Sequence, residues 1–521
     1  MVFHSLLLLA GTMILMCSTF EDPEFWFKKG RAELEAAFQI KWNKGVAKNV
    51  LLFVGDGMGI NTITAARIYK SLENSSLVFE NFPHIALTKT YCVDRQVPDS
   101  SSAANALFSG VKTNYETVGV DAGVPFNDCQ KSLEQQRRLK NIITWAQEAG
   151  KDTGFVTTTR VTHATPSALY AHCPNRRWEC EDKMPSSAAQ CKDIARQLVE
   201  DEPGKSINVI MGGGRQCMMT NINVSESDPR DTWSCSRKDG RDLIKHWIDE
   251  KKREGLRHAY LSTTDDLNKL DIDNVDFVMG IFANGHLKLD HERDRTPRGM
   301  PSLSQMTETA IKVLLKNKKG FLLVVEGGMI DQSHHRGYAR DALDETICFE
   351  AAVQASINLL KARGVLDSSL IIVTSDHGHS LAINGNPPRG NNILGISETS
   401  RDDGVPFTTL LYATGDRNNY QFESRDGKVV RKDPSQEDTT RFGYHQQSVV
   451  VTDEALHDGG DVPVYAMGPQ AHLFHRVHEQ TYVAHVIAYA AKIGHFAHST
   501  ASYTTFGPLT ILLSCILLLY K

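Results

Sequence analysis

Seven short runs of the chain are apolar or β-branched at nearly every position: Val50–Val54, Gly154–Thr158, Ile207–Met211, Phe321–Val325, Leu370–Thr374, Thr408–Tyr412 and Val462–Ala466. A strand with one wet face alternates apolar and polar residues, whereas a strand covered on both faces does not. Between these runs lie helical patterns, over Leu139–Glu148, Ala188–Leu198, Leu303–Lys316 and Asp341–Ala362. Apolar strands separated by helices predict an α/β fold, a central mostly parallel sheet with helices on both faces. Residues 380–445 break the pattern. They are rich in Gly, Pro, Asn, Asp and Arg, and predict a looped insertion with a strand, or a small crown-like subdomain. There is no internal repeat and no long low-complexity segment.

The two ends read as processing signals. Leu6–Met16 is an apolar run behind a short start and before Ser18 and Thr19. It is too short to span a bilayer comfortably and suits a signal peptide over residues 1–20, cleaved near Phe20 or Glu21. Leu509–Tyr520 is apolar too, and its plain reading is a short anchor helix. Such a helix reaches about 18 Å, against a hydrocarbon core of about 30 Å. The small residues Ser499, Thr500, Ala501 and Ser502 stand upstream of it. Small residues, a spacer and an apolar tail predict a GPI-anchor signal over 499–521, with Ser499 as the attachment site. The catalytic body is then 21–498.

Lys and Arg number 57 against 62 Asp and Glu, a net charge of −5. No basic stripe stands out, so nucleic-acid binding has no electrostatic footprint. Of ten cysteines, Cys17 and Cys515 fall in the segments to be removed, leaving eight. An even number in a secreted chain points to disulfides, and no CxxC pair argues for a metal thiolate. Cys173 and Cys180 are seven apart and could close a small loop, which predicts a bond bracing the segment between them. Asn74-Ser75-Ser76 and Asn223-Val224-Ser225 are glycosylation sequons.

Chemistry gathers where the apolar strands end. Asp56 follows the first run, Glu326 and Asp331 the fourth, and Asp376, His377 and His379 the fifth, while His163 and Thr165 come a few residues after the second. Any one of these is ordinarily a loop residue. In open α/β sheets, however, ligands bind outside the carboxyl ends of strands, and here four strands deliver ligand types to one edge. Crowded carboxylates repel unless cations lie between them. Asp331 and His335 are four apart and share a helix face. Imidazole with carboxylate suits Zn²⁺ and oxygen alone suits Mg²⁺, so a mixed metal cluster is predicted. Paired metals clamp the entering and leaving oxygens of an in-line displacement, which points to phosphoryl or related ester transfer.

The stretch VPDSSSAANALFSG predicts a helix ended by Gly110, with Asp99 or Ser100 as its N-cap. By composition alone, capping is the role for these residues. A helix N-terminus is also where an anion is held, and a serine there beside zinc would lose its proton readily and attack phosphorus. The cap and the nucleophile would then coincide at Ser100.

This segment resembles the nucleophile motif of alkaline phosphatases, through Val97, Asp99, Ser100, Ser101, Ser102, Ala103 and Ala104. LLFVGDGMG, TTTRVTHATP, VEGGMIDQSHH and SDHGH are likewise similar to motifs of that family, especially its animal members, and the resemblance spans nearly the whole mature chain. It implies a phosphate monoesterase with an alkaline optimum, two Zn²⁺ and one Mg²⁺ per chain. Ser100 would form a phosphoseryl intermediate. Asp56, Asp376 and His377 would hold the zinc beside it, and Asp331, His335 and His457 the second zinc. Asp56, Thr165 and Glu326 would hold magnesium. His163 and His379 would orient ligands or bound water, Arg176 would clamp two phosphate oxygens, and Glu454 would lie near the pocket mouth. The resemblance also implies a Cys129–Cys191 disulfide and a homodimer with residues 22–38 as an N-terminal arm.

Three departures from the family pattern stand out. Asn105 occupies the place of a threonine, and Gln332 that of a histidine usual in animal members. The calcium site of animal members is in doubt here, because Ala283, Asn284 and Met300 stand where its carboxylates are expected. Two rival functions differ in class: a related metal-dependent phosphodiesterase or sulfatase-like hydrolase, and an inactive GPI-anchored binding protein. Sulfatases need a C/S-x-P-x-R context that the Ser100 segment lacks, and the complete ligand set argues against an inactive protein.

Overall fold

A computed structural model of the chain describes residues 21–497; the expected signal peptide, Ser499 and the apolar tail lie outside them. The chain divides into two units at Trp42/Asn43. The first holds α1 (Pro23–Phe38), capped by Asp22, whose carboxylate accepts from the Phe25 N–H at 2.8 Å. Phe27, Leu34 and Phe38 on it are exposed.

The second unit is built on one ten-stranded sheet. Its strands are β1 (Asn49–Gly55), β2 (His84–Lys89), β3 (Asp152–Arg160), β4 (Val209–Gly213), β5 (His258–Leu261), β6 (Phe277–Ile281), β7 (Phe321–Gly327), β8 (Ser369–Ser375), β9 (Val462–Met467) and β10 (Val477–Glu479). They lie in the order β10-β2-β9-β8-β1-β7-β3-β4-β6-β5. Every pairing is parallel except those of β9 with β2 and β8. The sheet is therefore mostly parallel, as its unbroken apolar strands predict.

Alternate residues of β1 serve two cores. Val50, Leu52 and Val54 pack with Ile142 and Trp145 on one face. Leu51 and Phe53 pack with Met306, Leu343 and Phe349 on the other. The helices concerned are α2 (Ile60–Ser71), α3 (Ser100–Ser109), α4 (Ile142–Glu148), α5 (Ile194–Glu200), α6 (Leu243–Arg253), α7 (Leu303–Leu314), α8 (Met329–His335), α9 (Ala339–Ala362) and α10 (Tyr482–Ala491). None of the described helices is long and apolar enough to cross a membrane.

Polar caps moved several expected boundaries. The helix expected from Leu139 starts at Ile142, because the Asn141 side chain accepts from the N–H groups of Ile143 and Thr144. The helix expected from Ala188 starts at Ile194, after Asp193 caps it. The expected strand Thr408–Tyr412 is split. Pro406–Thr408 pairs with Ile396–Thr399, while Leu410–Gly415 pairs with Leu381–Ile383 and Ser448–Val451 in a separate three-stranded sheet. A hairpin over Phe422–Arg431 completes this region of small sheets between β8 and β9.

Cys129 is disulfide-bonded to Cys191. The expected Cys173–Cys180 bond is absent: Cys180 is bonded to Cys235, at a Cα separation of 5.8 Å. Cys173 is held instead by its main chain, which bridges Val118, and its thiol lies 3.2 Å from the Asn175 carbonyl. Cys92, Cys173, Cys217 and Cys348 are free thiols, so only half of the eight expected cysteines are paired.

Candidate active site

The four central neighbours β8, β1, β7 and β3 end at one edge of the sheet, and the predicted ligands converge there. Asp56 follows β1, Glu326 lies in β7, Asp331 and His335 lie on α8, and Asp376 and His377 follow β8. His457 comes from a two-residue pairing with His379.

Three groups of side chains present ligand atoms within 4.8 Å of one another: Asp331, His335, His379 and His457; Asp56, His163 and Glu326; and Asp56, Asp331 and His377. In the first group, His335 and His457 point Nε2 at each other across 3.1 Å. Each Nδ1 donates to a backbone carbonyl, that of Ala455 at 2.9 Å and that of Pro98 at 2.9 Å. The two Nε2 atoms therefore face each other, with Asp331 Oδ2 3.3 Å from His335 and Asp331 Oδ1 3.4 Å from His457. Such a set suits a zinc ion. His379 Nε2 lies 2.6 Å from Asp331 Oδ1, close enough to fix the orientation of that carboxylate. Glu454 is exposed at the rim, its Oε1 3.4 Å from His335 Nδ1.

In the neighbouring group, His377 Nε2 lies 3.2 Å from Asp376 Oδ2 and 3.6 Å from Asp56 Oδ1. Its ring stacks on that of His457 at 3.6 Å, so the two groups adjoin. Asp56 Oδ2 lies 3.4 Å from the Thr165 hydroxyl on the side facing Glu326. Glu326 Oε1 and Asp376 Oδ2 are buried with no hydrogen-bond partner. Buried carboxylate oxygens are rarely left so, and both fit a bound cation. His163 belongs with Asp56 and Glu326 more closely than expected, and its Nδ1 is also buried and unpartnered.

The proton affinities of the carboxyls follow from the same crowding. Burial, then the charges of Asp331 and Asp376, raise Asp56 well above the ordinary carboxylate value. Burial and Asp331 push Asp376 up to about 8. Burial raises Glu326 as well. Burial would raise Asp331 too, but His335, His379 and His457 hold it well below the ordinary value.

Ser100 opens α3 at this edge, its Oγ 3.2 Å from His377 Nε2 and 3.5 Å from Asp56 Oδ1. The cap is not Ser100 but Asp99, which accepts from the N–H groups of Ser101 and Ser102. Asp99 also accepts from Glu116 N–H at 2.8 Å and from Arg176 Nη1 at 3.1 Å. One carboxylate thus ties the serine helix to the arginine. Arg176 Nη2 lies 3.3 Å from His163 Nε2, an acceptor on a ring that burial and Arg176 lower to about 3. Its neighbour Arg177 is exposed and paired with Glu116.

Burial would raise the Asp99 carboxyl, but Arg176, the Ser101 hydroxyl and the Glu116 N–H hold it down at about 2, against 3.8 in an unfolded chain. A depressed carboxyl contributes stability above its unfolded pKa, and this is lost as pH falls through the folded one. The contribution is about 2 kcal/mol. Asp99→Asn keeps a capping side chain and removes the charge. Its stability deficit in urea unfolding is expected to be full near neutral pH and to shrink between about pH 4 and pH 2. A gap that stays constant over that range would show that the charge is not responsible.

Several groups were not singled out from sequence. The hydroxyls of Thr157 and Thr159 both reach Glu326 Oε2, the latter at 3.0 Å. Thr158 Oγ1 accepts from the N–H groups of Gly328 and Met329, fastening the start of α8. His334 bridges Thr62 at 2.9 Å and the Tyr412 hydroxyl at 2.6 Å. Gln332 donates to Asp331 Oδ2 at 3.1 Å. Around Ala283 and Asn284 a guanidinium supplies the positive charge: Arg215 Nη1 lies 2.7 Å from Asp228 Oδ2 and 2.9 Å from Asn284 Oδ1.

A family model described as alkaline phosphatase matches residues 47–493. The tissue-nonspecific alkaline phosphatase isozyme of Gallus gallus is 42% identical over 511 residues, spanning 96% of this chain and 95% of the relative. That of Homo sapiens is 40% identical over 536 residues, spanning 99% and 98%. The membrane-bound alkaline phosphatase of Bombyx mori is 37% identical over 520 residues, spanning 96% and 91%. Among solved structures, the alkaline phosphatase of Thermus thermophilus shares the fold, with a TM-score of 0.59 at 22% identity, covering 88% of this chain and 94% of that one. A match over most of the chain, on top of a buried carboxylate and imidazole centre beside a serine at a helix N-terminus, places the chain in the alkaline phosphatase family, as a metal-dependent enzyme that hydrolyses phosphate monoesters.

Proposed function

We propose that hydrolysis proceeds through a phosphoserine on Ser100, with an alkaline optimum. The observation that carries this reading is the place of Ser100 Oγ, 3.2 Å from His377 Nε2 and 3.5 Å from Asp56 Oδ1 at the start of α3, with Arg176 held over the same helix turn by Asp99. In the first half-reaction Ser100 Oγ bonds to phosphorus as the ester oxygen leaves, and the proton that Ser100 gives up to solvent is matched by the one the departing alcohol takes from it. In the second, water displaces Ser100 and releases inorganic phosphate. Arg176 orients two phosphate oxygens and takes up their negative charge.

Asp56, Asp376 and His377 would hold one Zn²⁺, Asp331, His335 and His457 a second, and Asp56, Thr165 and Glu326 a Mg²⁺. When bound, these ions offset the phosphate dianion and lower the proton affinity of the attacking oxygens. Calcium forms no part of the proposal, since Arg215 already neutralises Asp228.

The enzyme is further proposed to act outside the cell, held to the membrane by a GPI lipid at Ser499. The membrane-bound name of the Bombyx mori relative supports this. The body would be residues 21–498, with the small sheets near 380–445 as its crown. Asn74 and Asn223 are both exposed, as glycosylation requires. A homodimer would cover the apolar residues of α1.

Comparison of p-nitrophenyl phosphate with bis-p-nitrophenyl phosphate over neutral to alkaline pH tests the reaction class. The expected result is a kcat/KM for the monoester that exceeds that for the diester and rises with pH. A preference for the diester would overturn the reading.

A further inference from the structure

We propose that Asn105, the residue standing where the family has threonine, sets the distance between the nucleophile and the phosphate clamp. This rests on the reading of Ser100 and Arg176 above.

Asn105 is 1% exposed, on α3 one and a half turns past Ser100. Its Oδ1 accepts from the Gly119 N–H at 3.0 Å, and its Nδ2 donates to the Val111 carbonyl at 3.3 Å. Asp99, six residues earlier, accepts from the Glu116 N–H. The segment Glu116–Gly119 therefore lies along α3, pinned to it at two points about 9 Å apart.

That segment in turn holds Arg176. Val118 and Cys173 exchange N–H···O bonds at 2.8 and 2.9 Å, and the Arg176 N–H donates to the Glu116 carbonyl at 2.9 Å. The main chain in between has little room to adjust. Gly119 has φ +62°, and a Cβ there would fall 2.0 Å from the Ala171 carbonyl oxygen. Glu116 is held at φ 59°, a conformation that a non-glycine residue seldom adopts and that persists only where neighbours impose it. Helix, segment and arginine loop are thus joined by hydrogen bonds, and Asn105 is the side chain that closes the far end. An amide carries its acceptor for Gly119 and its donor for Val111 on separate atoms, while a threonine hydroxyl would have to accept and donate through one oxygen on a shorter stem. Asn105 touches no reacting atom, so its role is positioning.

The experiment is a double-mutant cycle of Asn105→Ala with Arg176→Ala on the metal-loaded enzyme. It reads KM, kcat, the inhibition constant of inorganic phosphate and zinc content. Asn105→Ala is expected to raise KM and the phosphate inhibition constant about tenfold, with less effect on kcat and none on zinc content. In the Arg176→Ala background the same change should have less than about a twofold effect, because the group it positions is gone. Asn105→Gln, which keeps both the acceptor for Gly119 and the donor for Val111, should return part of the lost affinity. Equal effects in both backgrounds would overturn the proposal. So would a lowered melting temperature with unchanged KM, since that is what mere packing predicts. Where the alanine variant is not recovered folded, Asn105→Thr takes its place in the cycle and the same outcomes decide. Failure of the phosphoserine reading would appear separately, as absence of acid-stable phosphate label on Ser100 in an unmodified enzyme that still hydrolyses monoesters.

Discussion

Ser100→Ala is expected to lower monoester turnover by about four to six orders of magnitude while leaving the folded protein intact, the range that loss of a catalytic-triad residue spans in other covalent hydrolases. The side chain is small, and its Oγ contacts are confined to Asp56 and His377. The helix keeps its cap, because Asp99 and not Ser100 accepts the free N–H groups. The melting temperature should therefore shift little. Acid-quenched enzyme incubated with labelled phosphate should carry label in the parent and none in the variant. Activity within tenfold of the parent, or label that survives the substitution, would remove Ser100 from the reaction. Residual activity is still expected, since Arg176 and the ligand set continue to bind and polarise the ester.

Chelation of the metals should abolish activity and change the pH dependence of stability. Without cations, Asp56, Glu326, Asp331 and Asp376 share one buried site. Asp376, near 8 in the metal-free fold and near 3.8 when unfolded, binds a proton in the folded chain that it releases on unfolding across that range. Stability is then lost as pH rises from about 4 to about 8. His335, raised to about 9 by Asp331 and then Glu454 in spite of burial, acts in the same direction, since its stabilising charge disappears as pH passes that value. The metal-free protein should thus unfold several kcal/mol more easily near pH 9 than near pH 6, and the loaded protein should show much less of this slope. Scanning calorimetry on both forms, with Zn²⁺ and Mg²⁺ added back to restore activity, checks the prediction. Parallel stability curves for the two forms would show that the carboxylates are not held together by cations.

The parts of the site legible in the sequence are those attached directly to strand ends. Asp56, Glu326, Asp376 and His377 each sit within two residues of an apolar strand terminus, so a parallel sheet alone delivers them to one edge. Residues that act through other residues were harder to find. Thr157, Thr158 and Thr159 look like ordinary β-branched strand residues, yet their hydroxyls hold Glu326 and the start of α8. Asp99 reads as one of two candidate caps, and nothing in its neighbourhood announces that it also holds Arg176, 77 residues away. The Cys180–Cys235 bond spans 55 residues and a loop without periodicity, so spacing favoured the wrong partner.

The sequence by itself determined the fold class and most of the carboxylates and imidazoles that gather at the sheet edge. Strand burial and helix amphipathicity are written locally in the order of apolar residues, and the ligands follow the strands that carry them. It did not determine strand order, the antiparallel insertion of β9 between β2 and β8, or the contacts that join Ser100 to Arg176. Those depend on hydrogen bonds between segments far apart in the chain, such as Asn105 to Gly119 and Glu116 to Arg176, whose partners are chosen by packing and not by spacing. Tertiary structure decided which buried polar atoms were satisfied and which were left for a cation. Glu326 Oε1 and Asp376 Oδ2 are buried without a hydrogen-bond partner, and only the folded chain fixes that outcome.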